Sequence, residues 1–357
     1  LIGMAAGESL DEGDNGLIDS NIAIGKDCFT GGNLNTDSTT IKGNIAIGTD
    51  ALNSTGTNAQ TGTIAIGHES LTALTSGIEN TAIGYQSADG LTTGSYNTLI
   101  GYKVASTGTV TGQENTAVGV TALQALTSGS QNTALGVRAG LVMATGSANV
   151  FIGKDAGDSA SACSNVIAIG HNAMHTVSDS TAVDGTIAIG ESALDGLTSG
   201  ANNIGIGIKA GGLITSGTDN TLIGRQSGWQ GTYGLTTGDH NTALGSNTLG
   251  ASANSALTGN YNTAIGSNSM LEARSTAQSN TAVGYQSLQN LTDGDGNTAI
   301  GNQAMGNGAV SGDNNTTLGN GSGYNITSGH SNVIIGKDTN PSANTGQNQT
   351  VIGFNVT

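Results

Sequence analysis

The sequence predicts an all-β fold, a parallel β-solenoid of about 20 coils with a 17-residue repeat. A phrase that ends in an apolar residue and a glycine occurs 20 times in the chain. Ten of the 19 steps between these glycines are 17 residues long, as from Gly67 to Gly84. No step is shorter, so the longer steps carry insertions. A short fixed period of this kind is typical of solenoids. We call these residues the key glycines and number the positions of each coil from them; they are Gly3, Gly25, Gly48, Gly67, Gly84, Gly101, Gly119, Gly136, Gly153, Gly170, Gly190, Gly207, Gly224, Gly245, Gly266, Gly284, Gly301, Gly319, Gly336 and Gly353.

The three residues before each key glycine have the pattern of a short β-strand. Position −1 is always Ile, Leu or Val, position −2 is mostly Ala, and position −3 is β-branched. β-branched residues favour strands, and successive side chains of a strand point to opposite faces. Position −2 never carries a charge. We therefore expect both faces to be covered, with positions −3 and −1 in the interior of the coil and position −2 against another chain.

Position −4 is Asn in 15 of the 19 complete copies, which predicts a stacked asparagine ladder. An Asn that recurs at one position of successive coils can hydrogen-bond to its equivalents above and below. We expect interruptions at the four exceptions, which are Thr63, Val166, Thr186 and Gln349. The predicted structural ladders include Asn80, Asn97, Asn115 and Asn132 at position −4, and Ile83, Ile100, Val118 and Leu135 at position −1.

The second half of each coil carries a weaker strand pattern around a small residue at position +3. A turn follows, often Thr-Ser-Gly, in which glycines such as Gly77 and Gly94 would supply a positive φ. Position +4 comes in two types. Some coils place Leu or Met there, as in SALDGLTSG from Ser192, and others place Gly, as in RAGLVMATG from Arg138. We expect the two types to fill the interior differently.

Composition limits both the organisation and the partners of the chain. With 59 Gly the chain resembles a disordered one, but a strict period indicates order. We expect one continuous array over residues 1–357, the ordered part or a fragment of a longer fibre protein. A net charge of −16 argues against nucleic-acid binding, and no apolar run is long enough to predict membrane insertion. The two cysteines, Cys28 and Cys163, are expected to be buried and unpaired.

The phrase Asn-Thr-Ala-Ile-Gly followed by x-x-Ala or x-x-Ser resembles two groups of repeat proteins. It is similar to the head repeats of YadA-type trimeric autotransporter adhesins, and more closely to arrays in bacteriophage tail fibres. The resemblance covers nearly the whole chain. It implies a left-handed parallel β-roll, three chains about one axis, and a role in adhesion or host recognition. Adhesin heads have a shorter unit than the repeat of this chain.

We therefore expect a structural segment of a homotrimeric virion tail fibre, a shaft or receptor-binding region used in host attachment. Its partners would be two copies of itself, other fibre or baseplate proteins, and a host surface glycan. One alternative is a trimeric adhesin on a bacterial cell surface. Another is an ice- or crystal-binding solenoid, which needs an exposed Thr array. Because Thr shares its face with Ile in this repeat, that array is expected to be buried.

The sequence predicts no enzyme, no cofactor and no confident metal site. Regular coils present flat ladders rather than clefts, and no Ser-His-Asp spacing is present. The five histidines form no His-x-His pair and are expected to be surface residues. Asp11, Glu12 and Asp14, and the stretch Asp293–Gly296, are weak calcium candidates because carboxylates and carbonyls suit that ion. The competing interpretation is a solvated acidic turn.

The unit from Gly224 to Gly245 is four residues over length and holds the only tryptophan of the chain. Aromatic rings suit stacking on sugars, and charged side chains can bind sugar hydroxyls. The predicted ligand-binding residues of this unit are Trp229, Tyr233, Arg225, Asp239 and His240. In the alternative reading the Trp packs on its own coil and the segment is a spacer.

Overall fold

The computed structural model describes residues 1–7, 17–30, 40–55, 59–177, 180–231, 233–251, 256–274 and 276–357. It contains two compact units, unit 1 (Leu1–His171) and unit 2 (Asn172–Thr357). The strands of unit 1 are β1 (Leu17–Asp19), β2 (Ile22–Ile24), β3 (Thr40–Lys42), β4 (Ile45–Ile47), β5 (Gln60–Thr61), β6 (Ile64–Ile66), β7 (Thr81–Ile83), β8 (Thr98–Ile100), β9 (Thr116–Val118), β10 (Thr133–Leu135), β11 (Val150–Ile152) and β12 (Ile167–Ile169). Unit 2 has one short 3-10 helix, Ser180–Val183, in its described part. Its strands are β13 (Ile187–Ile189), β14 (Ile204–Ile206), β15 (Thr221–Ile223), β16 (Trp229–Gln230), β17 (Tyr233–Gly234), β18 (Thr242–Leu244), β19 (Thr263–Ile265), β20 (Thr281–Val283), β21 (Thr298–Ile300), β22 (Thr316–Leu318), β23 (Val333–Ile335) and β24 (Thr350–Ile352).

Each unit is a parallel β-solenoid, as the period predicts. In unit 1 the strands β2, β4 and β6–β12 stack in parallel without a register shift, so that Ala134 pairs with Ala117 on one side and Phe151 on the other. In unit 2 the strands β13–β15 and β18–β24 stack in the same way. Two smaller pairings accompany these stacks: β1, β3 and β5 form a parallel sheet, and β16 and β17 form an antiparallel hairpin.

Position −2 faces the interior of the coil, which is the reverse of the predicted orientation. Ala134 and Ala264 are fully buried, whereas Leu135 and Leu318 at position −1 are 48% and 47% exposed. The sequence-based assignment of the two strand faces is therefore wrong. So short a coil encloses a narrow interior that must be packed without overlap, and the inward position is therefore mostly small. The preference for Ala at position −2 is therefore explained by the narrow interior of the coil and not by a neighbouring chain.

The interior is filled by a size exchange between positions −2 and +4. Where position −2 is Ala, position +4 is often Leu or Met, and both are buried, as for Ala117 and Leu123. Where position −2 is Phe151, position +4 is Gly157, and a Cβ added there would lie 2.3 Å from the Phe ring. The two coil types predicted from the sequence therefore fill the interior in different ways.

The stretch around position +3 is a turn rather than the predicted second strand. Its side chains are nevertheless buried, as for Ala51 and Ser70, and its backbone is bonded from coil to coil, with Leu52 N–H donating to the Ser70 carbonyl at 2.9 Å. Leu52 and Leu71 at position +4 adopt φ values near +53°. This left-handed conformation costs a non-glycine residue about 1–2 kcal/mol, and coil-to-coil hydrogen bonds and burial of the side chain offset it.

The turn glycines are required because a side chain at their positions would overlap the next coil, and not because of their backbone conformation. Gly77 and Gly94 do not have the predicted positive φ. A Cβ added to either would lie 2.0 Å from a carbonyl oxygen of the next coil. Positive φ occurs at the key glycines instead: Gly84 has φ +133°, and a Cβ there would lie 2.1 Å from the Gly101 carbonyl oxygen.

Both cysteines are fully buried and neither is part of a disulfide, as predicted. Burial raises the pKa of the Cys28 thiol, because it disfavours the thiolate. In the described ranges, no helix has the length and apolar character needed to cross a bilayer.

Candidate functional site

The outward side of the strands forms a regular apolar surface, which we call the outward face and define by positions −3, −1 and +1. Position −3 supplies Thr, Ile or Val, and position −1 supplies Ile, Leu or Val, in every strand of the two stacks. The large apolar side chains most exposed on this face are Ile22, Ile24, Leu135, Leu244, Ile300, Leu318, Val333 and Ile352 from the strands, with Tyr85, Tyr102, Val120, Val137, Ile208, Tyr285 and Phe354 from position +1.

The outward face continues from strand to strand within each unit, because the strands stack without a register shift. Isolated apolar side chains on a surface are normal, whereas large contiguous patches mark sites of interaction. The spacing of about 4.8 Å between neighbouring strands leaves little room for water between successive side chains. The outward face therefore has the character of an interface.

Aromatic rings add a stacked column to this face in unit 1. His68, Tyr85 and Tyr102 follow successive key glycines, and their rings stack in sequence with centroids 5.4 and 5.5 Å apart. The interplanar angles are 13° and 11°. Because stacked rings cover one another's faces and leave their edges at the surface, the column widens the apolar area beside the strands.

The asparagines at position −4 form the ladder that the sequence predicts. Asn115 Nδ2 donates to Asn97 Oδ1 at 3.1 Å and to the Gly129 carbonyl at 3.0 Å. Its own Oδ1 accepts from the backbone N–H and the Nδ2 of Asn132, at 3.0 and 3.1 Å. Every hydrogen-bonding capacity of this buried amide is therefore used. Equivalent bonds join the asparagines of two runs: Asn80, Asn97, Asn115, Asn132 and Asn149 in unit 1, and Asn203, Asn220, Asn241, Asn262, Asn280, Asn297, Asn315 and Asn332 in unit 2.

The ladder stops at the four exceptional positions. At Thr63, Val166 and Gln349 the backbone N–H still donates to the Asn below, but the side chain does not continue the chain of amides. The buried hydroxyls of Thr63 and Thr186 have no hydrogen-bond partner. The ladder is therefore a structural device that locks successive coils in register, and it offers no ligand a free polar group.

The Trp229 insertion folds as a small hairpin and lines a shallow groove in unit 2. Strands β16 and β17 pair Trp229 with Gly234. The Trp ring is half-buried and lies under Lys209, whose Nζ is 4.8 Å from the ring centroid. The groove of about 270 Å³ is bounded by Ser192, Asp195, Lys209, Gly212, Leu213 and Trp229. A half-buried indole beside a carboxylate, an ammonium and a hydroxyl can bind a sugar ring by stacking and hydrogen bonding.

Three of the other predicted ligand residues have different surroundings. Asp239 accepts from the backbone N–H and the hydroxyl of Thr218, at 2.8 and 3.1 Å, and so bridges two coils. His240 stacks on Tyr261 with centroids 5.1 Å apart. Arg225 is exposed at position +1, on the outward face. Neither these three residues nor Tyr233, which lies in β17, is among those that bound the groove.

Lys209, Asp195 and Ser192 are the groove residues that the sequence analysis missed. They belong to the two coils before the Trp229 hairpin, and only the stacking of coils brings them beside the indole. The signal was available in principle, because a bulge at position +5 and beyond must lie over the same positions of the preceding coils. The sequence of the unit that holds the insertion does not contain these three residues, so that unit alone could not predict them.

The predicted calcium candidates gain no support from the structure. Asp11, Glu12 and Asp14 lie outside the described residues. In the second stretch, Asp295 Oδ1 accepts from the Gln278 N–H at 2.9 Å, and Asp313 Oδ1 accepts from the Asp295 N–H at 2.8 Å. Each of these carboxylates therefore accepts a hydrogen bond from a backbone N–H of the preceding coil.

Comparison with known proteins suggests no function for this chain. No protein-family model matches this sequence, and no curated protein matches it. The outward face and the Trp229 groove are therefore the features from which a function can be argued.

Proposed function

We propose that this chain is a structural segment of a homotrimeric fibre that serves host attachment, of the virion tail-fibre type. The observation that supports the proposal is the outward face, which presents an Ile, Leu or Val side chain at position −1 of each strand. Six of these side chains are 38% to 66% exposed, and the others are partly exposed. Covering that face with two further copies would remove it from water along the whole stack.

The energetic advantage of covering the outward face is large. Burying the exposed half of an Ile or Leu side chain stabilises by about 1 kcal/mol, and each strand contributes one such residue at position −1. Because most residues of this row are less than half exposed, a stack of nine or ten strands would gain on the order of 5 kcal/mol per unit from the row alone. The number of three copies comes from the resemblance of the Asn-Thr-Ala-Ile-Gly phrase to trimeric tail-fibre arrays, and cyclic closure is the usual way to bury one face of each subunit.

The proposal is tested by placing a charge on the outward face without disturbing the coil interior. Leu135→Glu and Leu318→Glu change side chains that are already near half exposed, so each coil should still fold. The double variant should dissociate to single chains, since buried unpaired carboxylates are costly. Val142→Glu is the matched control, because Val142 is 37% exposed but lies off the outward face. A wild-type chain that sediments as a monomer would contradict the proposal.

Ice or crystal binding is a second candidate function, because the structure places the Thr row outside rather than inside. Six consecutive coils of unit 2 carry Thr at position −3 on the outward face, and these residues are Thr221, Thr242, Thr263, Thr281, Thr298 and Thr316. Thermal hysteresis measured on the isolated protein tests this candidate. A trimer that buries the row would show none, whereas hysteresis abolished by Thr281→Glu would favour ice binding over fibre assembly.

Within the proposed fibre, the Trp229 groove is the best placed site for host attachment, with a surface glycan as the ligand. A neutral or amino sugar fits its mixture of indole, carboxylate and ammonium better than a strongly anionic polymer does, given the net charge of −16. Glycan-array binding by the protein should be lost in Trp229→Ala and kept in Tyr261→Ala, a change of another exposed aromatic residue. Equal binding by both variants would remove the groove from the proposal and leave the segment as a spacer.

A further inference from the structure

A cluster of metal-ligating side chains lies on unit 1, at the first two positions after consecutive key glycines. Asp50, His68 and Glu69 each offer one ligand atom, and these atoms all lie within 4.8 Å of one another. It is the one group of three such residues at this spacing among the described residues. None of the three belongs to the asparagine ladder or to the Trp229 groove.

The backbone fixes the relative position of the two carboxylate-bearing residues. Asp50 N–H donates to the Lys26 carbonyl at 3.0 Å, and Glu69 N–H donates to the Thr49 carbonyl at 2.9 Å. Asp50 and Glu69 have φ values of +56° and +54°. The two side chains therefore leave equivalent points of adjacent coils in the same direction, about 4.8 Å apart at their backbones.

Neighbouring amides orient the two carboxylates. Asn53 Nδ2 donates to Asp50 Oδ1 at 2.9 Å, and Gln86 Nε2 donates to Glu69 Oε2. Hydrogen bonds to ligand residues from an outer shell of this kind hold them in place and tune their affinity for a metal. Each carboxylate keeps lone pairs beyond the one that accepts its amide.

The His68 ring is held by its stack on Tyr85, at 5.4 Å and 13°. Its Nδ1 lies 3.6 Å from Glu69 Oε2. The His68 and Glu69 side chains are 46% and 35% exposed, so an ion can reach them from solvent and keep bound water. The imidazole thus faces the carboxylate in an ordered orientation.

The local charge is strongly negative. Position +2 of three successive coils holds Asp27, Asp50 and Glu69, and like charges at this spacing repel. Lys26 pairs with Asp27 at 2.9 Å. A bound cation would relieve this repulsion.

We propose that Asp50, His68 and Glu69 form a binding site for a divalent transition-metal ion of the Zn²⁺ class. One imidazole nitrogen with two carboxylate oxygens suits Zn²⁺, Co²⁺ or Mn²⁺, whereas Ca²⁺ and Mg²⁺ select oxygen ligands alone. Zinc–ligand bonds of about 2.0–2.2 Å place ligand atoms about 3.3 Å apart. Because the ligand atoms of the three side chains already lie within 4.8 Å of one another, binding requires them to approach by at most about 1.5 Å, and water would complete the coordination.

The experiment is a Zn²⁺ titration of the tag-free protein followed by calorimetry, with a parallel Co²⁺ titration followed by visible absorption. The wild type should bind one ion per chain. His68→Gln, Asp50→Asn and Glu69→Gln should each weaken binding by about 10-fold or more, and His68→Gln should abolish the Co²⁺ absorption change. Because His68 lies at position +1 of the outward face, the titration is repeated on the Leu135→Glu, Leu318→Glu double variant, in which that face is uncovered. Zn²⁺ binding by the double variant supports the site whatever the outcome for the fibre proposal, and its absence there overturns the site alone.

His240→Gln is the matched control, because His240 faces the single carboxylate of Asp219 at 3.8 Å and should leave the stoichiometry and affinity unchanged. Circular dichroism of each variant checks that the coils remain folded. Wild-type affinity in His68→Gln would overturn the proposal. Competition by Ca²⁺ at the concentration of Zn²⁺ would also overturn it, because it would show an unselective acidic surface.

Discussion

Replacing Asn115 by Ala removes one rung from the middle of the asparagine ladder. The amide of Asn115 makes four hydrogen bonds, two as donor and two as acceptor. After the change, the Asn97 oxygen still accepts from the backbone N–H of residue 115, and Asn132 Nδ2 still donates to the Gly146 carbonyl. The backbone N–H of Asn132, one of its side-chain N–H groups and the Gly129 carbonyl each lose a bond.

The expected cost follows from those three groups. Asn115 and Asn132 are both buried, so water does not replace the lost bonds. A buried polar group that loses its partner costs about 1–3 kcal/mol. We therefore expect Asn115→Ala to destabilise the protein by about 3–9 kcal/mol and to speed amide hydrogen exchange in the strands on either side by about 100-fold or more.

Thermal unfolding by circular dichroism and hydrogen exchange by mass spectrometry measure the two effects. Asn307→Ala is the matched control, because Asn307 is exposed and lies off the outward face, so its loss should change neither quantity. The reciprocal change, Thr63→Asn, should raise the unfolding temperature, since it replaces an unpartnered buried hydroxyl by an amide that can join Asn44 to Asn80. An Asn115→Ala protein as stable as the control would refute the ladder as a source of register and stability.

Two further predictions concern the interior. Phe151→Ala should destabilise the protein by about 3–5 kcal/mol because it leaves a cavity, and Gly157→Leu should destabilise it because the new side chain overlaps the Phe ring. The double variant recreates the coil type with Ala at position −2 and Leu at position +4, so it should unfold at a higher temperature than either single variant. A loss of stability equal to the sum of the two single losses would contradict the size exchange. Cys28 and Cys163 are both fully buried, and burial raises the pKa of the Cys28 thiol, so a thiol reagent should label neither residue until denaturant is added, whereas rapid labelling of the native protein would contradict this packing.

The sequence predicted the solenoid, the register and the asparagine ladder because each depends only on repetition. When a residue recurs at one position of every coil, stacking places it against its own copies, whatever the shape of the coil. Asn115 and Asn132 therefore contact each other in the structure, as their separation by one repeat predicts.

The orientation of the strand was not predictable from the same pattern. Ala and Ile alternate along the phrase, and either could face inward on hydrophobicity alone. The decision depends on how the narrow interior of the coil is filled, which places Ala134 at position −2 inside and Leu135 at position −1 outside. The size exchange at Phe151 and Gly157, and again at Leu222 and Gly228, was a sequence signal of that width, because a large residue at −2 coincides with a glycine at +4.

The candidate sites were predicted less well than the fold because they join residues of different coils. Trp229 was found as an isolated aromatic residue, but its neighbours Lys209 and Asp195 come from preceding coils. His68 and Glu69 meet Asp50 for the same reason. The steps around these coils are irregular, since those that end at Gly67 and at Gly245 both exceed the basic repeat, so proximity cannot be read from one repeat.

The mass of the assembled protein in solution decides whether the outward face is an interface between copies. The chain has a mass of 35.0 kDa, so a trimer would have three times the mass of a single chain. Sedimentation equilibrium at micromolar concentration should give the trimer mass for the wild type and the single-chain mass for the Leu135→Glu, Leu318→Glu double variant. A wild-type mass of 35.0 kDa would contradict the proposed fibre, because the Ile, Leu and Val rows of the outward face would then lie in water.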